Sequence, residues 1–93
     1  MMIKMKRFGR RVVMSAGKKR LDVYVSNGPW VPGIDPSMIK ITPKKGLEFP
    51  KEISDSVDVT NNCDMITDYY QKDSIKLMPG HPLYELAKSV IVP

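Results

Sequence analysis

Apolar and polar positions alternate along the first part of the chain. Met2-Ile3-Lys4-Met5-Lys6 sets apolar side chains against basic ones in the period of two that sends them to opposite faces of a strand. Leu21, Val23 and Val25 alternate with Asp22 and Tyr24 in the same way, and Val12, Val13 and Met14 form a partner run. Phe8-Gly9-Arg10 and Ala16-Gly17-Lys18-Lys19 supply the corners, because glycine reaches the positive φ that hairpin turns need. The pattern predicts a three-strand β-meander over residues 2–26.

The rhythm breaks at NGPWVPGIDP, Asn27 to Pro36, which holds three prolines and two glycines in ten residues. Such a run supports neither a helix nor a central strand, and predicts a structured loop carrying Trp30. Ile39 and Ile41 flank Lys40 in a short strand that Pro43-Lys44-Lys45-Gly46 ends, and Leu47 and Phe49 alternate around Glu48 up to Pro50. Val57 and Val59 mark another strand, Asn61-Asn62 a turn, and Ile75 with Leu77 a last strand closed by Pro79-Gly80.

Beyond that point the period changes. Leu83, Leu86, Ala87, Val90 and Ile91 follow at helical spacing, with Glu85 and Lys88 on the wet side. Pro82 suits the first helical position, where its missing N–H costs nothing. This is the one helix the periodicity predicts. The expected fold is a single α+β domain over residues 1–93, a mostly antiparallel sheet of five or six short strands with one C-terminal amphipathic helix across a face.

Composition alters this picture little. With 42% hydrophobic and 27% charged residues the chain is an ordinary globular one. No apolar run approaches the roughly 18 residues of a membrane helix. The basic start MMIKMKRFGRR lacks the apolar stretch of a secretory signal. Cys63 is alone and has no internal disulfide partner, so a cytoplasmic, reducing location is expected.

Charge alters it more. The formal net charge is +5, yet the first 20 residues alone carry +8: Lys4, Lys6, Arg7, Arg10, Arg11, Lys18, Lys19 and Arg20, with no acid among them. The other seven cations stand against all ten acids, a net −3. Cations on adjoining strands neutralise phosphates, and aromatics beside them stack on bases, which adds Tyr24 and Trp30 to the candidate surface, with Phe8 nearby. The pattern matches no defined nucleic-acid motif, and an acidic protein surface satisfies the same cations. The plain alternative is a solvated face with edge-guarding lysines.

The remaining chemistry is thin. Asp64, Asp68 and Asp73 follow no calcium-loop spacing, and one His with one Cys makes no structural zinc site, so neither metal nor cofactor is expected. Asp64 and Asp68 suit turn and cap hydrogen bonds instead. His81, beside Pro82, suits a helix cap or a solvent-facing place, and Cys63 a buried inert thiol. For Tyr69-Tyr70 the readings are core packing with a covering ring, or a partner-binding patch.

The stretch NNCDMITDYYQKDSIKLMPGHPLYEL, Asn61 to Leu86, resembles a segment of small uncharacterised proteins of phages and mobile elements. The matching positions are Asn61, Asn62, Asp64, Thr67, Asp68, Tyr69, Asp73, Ile75, Pro79, His81, Pro82, Leu83 and Tyr84. The resemblance covers about the last third of the chain and implies a setting, a host-cell cytoplasm, without a mechanism.

The sequence therefore predicts a non-enzymatic binding protein whose basic N-terminal meander engages a polyanion, nucleic acid or an acidic protein surface. The alternative is a structural or inhibitory phage protein acting by protein contact or self-assembly. An enzyme stands third, for want of a cluster of reactive groups.

Overall fold

The computed structural model describes residues 2–28, 37–67 and 73–91. Two glycines fold the N-terminal part back on itself. Gly9 (φ 62°) joins β1 (Ile3–Phe8) to β2 (Arg11–Ala16), and Gly17 (φ 61°) joins β2 to β3 (Lys19–Asn27). In each two-residue loop the first central residue alone has positive φ, the arrangement of a type II′ turn, whose twist suits paired strands. The chain continues through β4 (Ile39–Pro43), a single helical turn α1 (Lys51–Ser54), β5 (Cys63–Thr67), β6 (Asp73–Leu77) and α2 (Tyr84–Ser89).

The six strands form one antiparallel sheet in the order β1-β2-β3-β4-β6-β5. The meander occupies one half and β1 one edge; the β5–β6 hairpin is added with β6 inside and β5 at the other edge. Register keeps like with like. Ile3 faces Ala16, Met5 faces Met14, Val12 faces Val23, and Ile41 lies between Val25 and Ile75. These side chains share one face, which α1 near β2 and α2 near β4 help to cover. Met14, Ile39, Ile41, Ile53, Ile75 and Leu77 are fully buried there, each worth about 1.5–3 kcal/mol against exposure. Tyr84, Ala87 and Val90 bring α2 into the same core, and the Tyr84 hydroxyl donates to the Ser37 carbonyl.

Three expectations need correcting. No strand forms at Val57 and Val59. Pro50 instead starts α1, a second helix; Ser54 and Ser56 hydroxyls donate back to the Lys51 and Glu52 carbonyls, and Thr60 donates to the Asp58 carboxylate. The segment thus satisfies its polar groups locally, and β6 already occupies the free edge of β4 that a strand here would need. Leu47 and Phe49 lie in the irregular connection before it. Second, Cys63–Thr67 is an edge strand, so Asp64 sits on a strand opposite Lys76 rather than in a turn or cap. Third, Pro82 precedes α2, whose N-cap is Leu83. The reason is His81: its Nδ1 accepts the Leu83 N–H at 3.0 Å, so the imidazole caps the turn before the helix begins. Asp68, Tyr69, Tyr70 and Trp30 lie outside the described residues.

Candidate functional site

Period-two alternation sends every second residue of the meander away from the core. On β1 these are Lys4, Lys6 and Phe8; on β2 Arg11, Val13 and Ser15; on β3 Arg20, Asp22, Tyr24 and Ser26. Register arranges them in rows across the strands. Lys4 and Arg20 flank Ser15, Lys6 and Asp22 flank Val13, and Phe8 stands beside Arg11. Extending the β2–β3 register by one residue sets Tyr24 on the other side of Arg11, and Tyr24 itself faces Thr42.

This face is open over β1–β3. Phe8 is 59% exposed and Tyr24 56%, both large for aromatic rings on a sheet. Toward β6 the same face closes, since Ser74 is fully buried and shares a hydrogen bond of 3.1 Å with Thr42. A groove of about 630 Å³ lies on the open part, with Val13 and Ser15 along its floor, Phe8 and Leu47 on its sides and Lys4, Lys6, Arg11 and Arg20 around it.

The cations divide by their partners. Arg11 is tied to Asp22, with two Nε contacts of 3.1 Å and an Nη contact of 3.0 Å, a bidentate fork that holds the guanidinium against the sheet. Among the described residues, Lys4, Lys6 and Arg20 have no carboxylate partner. Lys44 lies over the Tyr24 ring at 5.6 Å, a cation–π contact that adds a further charge to this face.

Of the ten sequence candidates, the fold brings together Lys4, Lys6, Arg11, Arg20 and Tyr24. Arg10 and Lys18 sit in the two hairpin turns. Lys19 pairs with Ala16 and Arg7 with Val12, so both belong to the covered side. Arg7 donates to the Gly9 and Ile91 carbonyls there, linking the end of β1 to the chain after α2. Trp30 is outside the described residues. Phe8, Val13 and Leu47 complete the surface. Phe8 shares the parity of Lys4 and Lys6, a signal that reading Phe8 as part of a turn passes over; nothing in the sequence places Leu47 beside β3.

The reactive side chains elsewhere are engaged in holding the fold. His81 is buried; Nδ1 accepts from Leu83, so the ring proton sits on Nε2 and donates to the Asp58 carbonyl at 2.7 Å. Burial first, then the nearby Asp64 and Asp58 charges, push the Cys63 thiol up to about 11, so it stays protonated at neutral pH. Hydrogen bonds from the Thr60 side chain and backbone hold the Asp58 carboxyl below its usual value. Among the described residues no group of three or more His, Cys, Asp or Glu is placed to hold a metal ion, and no helix is long and apolar enough to cross a membrane. Set against protein families, curated proteins and solved structures, the chain matches none.

Proposed function

We propose that this protein is a non-enzymatic binding protein that engages a polyanion, nucleic acid or an acidic protein surface, through the open face of its meander. The observation that carries this reading is Lys4, Lys6 and Arg20 gathered on one exposed sheet face with no carboxylate partner among the described residues. Three like charges on one sheet face, two on β1 and one on β3, raise a positive potential there that attracts an anion. A host-cell cytoplasm as the setting belongs to the same proposal, supported by the resemblance of residues 61–86 to phage and mobile-element proteins. The test is binding of labelled oligonucleotides at about 50 and 200 mM salt. Three phosphate contacts to a single strand lose roughly 20-fold in affinity across that range. Binding that ignores salt sinks the reading.

A second reading is a structural or inhibitory protein acting by protein contact or self-assembly. Its support is the β5 edge, where Met65 (38% exposed) and Ile66 (39%) stand on a strand with no further strand beside it among the described residues and no lysine of its own. A defined oligomer in light scattering, indifferent to nucleic acid, favours it.

A further inference from the structure

We infer that the polyanion is single-stranded nucleic acid, with Phe8 as the platform for a stacked base and Lys4, Lys6 and Arg20 on its phosphates. This rests on the polyanion reading above and adds the chemical class of the ligand.

The cations alone do not choose a class; the rings do. Phe8 is 59% exposed on the side of a groove with Lys4, Lys6, Arg11 and Arg20 around it, and Tyr24 lies in the same cross-strand row with Arg11 between them. The strands that carry the two rings, β1 and β3, lie about 9.5 Å apart. A base is a flat apolar face joined to an anion, which is what exposed rings beside cations complement. Carboxylate side chains of an acidic peptide bring charge but no face to cover Phe8. Duplex DNA keeps its base faces stacked inside the helix, so it offers backbone and groove edges to such a surface but no face for a ring to stack on.

Lys4 and Lys6 are two residues apart on one side of β1, about 6.7 Å, so both can reach the backbone of one nucleic-acid strand. Lys44, already over Tyr24, adds a cation on the far side of that ring's row. Arg11 stands between Phe8 and Tyr24 in the row, with its guanidinium paired to Asp22.

The experiment compares four probes on the full chain: an unstructured thymidine oligonucleotide, a duplex of equal length, inorganic polyphosphate and polyglutamate. The variants are Phe8→Ala, Tyr24→Ala and Phe8→Tyr. Both rings are exposed, so the alanine variants keep the fold, which circular dichroism checks. The single strand should bind tightest. Phe8→Ala should weaken it by about 5- to 150-fold, Phe8→Tyr should restore it, and neither should move polyphosphate affinity. If polyphosphate or polyglutamate binds with salt sensitivity but the alanine variants leave single-strand affinity unchanged, the class assignment is overturned while the polyanion reading stands. If none of the four probes binds, both fall.

Discussion

Met5, Leu21 and Val23 are 5%, 7% and 1% exposed, whereas their chain neighbours Lys6, Arg20 and Tyr24 stand in water on the opposite face of the same strands. The two faces answer to different demands. The covered face is apolar through its middle, with Arg7 and Lys19 only at strand ends, and its burial together with α1 and α2 stabilises this small fold. The open face contributes little to stability, and mutual repulsion of its cations slightly opposes folding. Residues that a fold tolerates without needing are the natural place to look for function.

Stability measurements should break the symmetry between the faces. Ile75→Ala, at a fully buried position, should cost about 2–5 kcal/mol in chemical denaturation. His81→Ala comes next, at about 1–3 kcal/mol in all, because it removes the partner of the part-buried Leu83 N–H and Asp58 carbonyl. A His81→Ala protein as stable as the parent would show that those bonds are replaced by water.

Smaller still is the thiol's contribution. The Cys63 pKa is raised on folding from 9.0 to about 11, so the folded state keeps its proton longer. Its share of stability is full below pH 9.0 and is lost as pH rises toward 11. Urea midpoints of the parent should therefore fall toward those of Cys63→Ala over that window, and parallel curves would contradict the shift. On the open face, Lys6→Ala should change stability by no more than about 0.5 kcal/mol. A larger loss would mean that the two faces are not separate.

How much of this was legible in the sequence depends on what each element leans on. The meander was readable because alternation and two turn glycines are local signals. The β4 and β6 strands followed from Ile39, Ile41, Ile75 and Leu77 for the same reason. β5 was not, because Asp64 and Thr67 look like turn residues, and only pairing with β6 gives Cys63–Thr67 its strand. At Val57 and Val59 the alternation misled, since a strand needs a free edge as well as a pattern. His81 taking the Leu83 N–H is a packing event that Pro82 alone does not announce. At the candidate site, charge density was visible but its division was not: parity puts Lys4, Lys6 and Arg20 on one face, while Arg7 and Lys19 go to the other.

The most direct test of the account is a pair of double charge reversals. Lys6→Glu/Arg20→Glu lies on the open face; Lys51→Glu/Lys88→Glu lies on the two helices and changes net charge equally. Affinity for a single-stranded oligonucleotide at about 50 mM salt should fall at least roughly tenfold in the first and far less in the second. Equal losses would mean that net charge alone attracts the ligand, and the open face would no longer be its site.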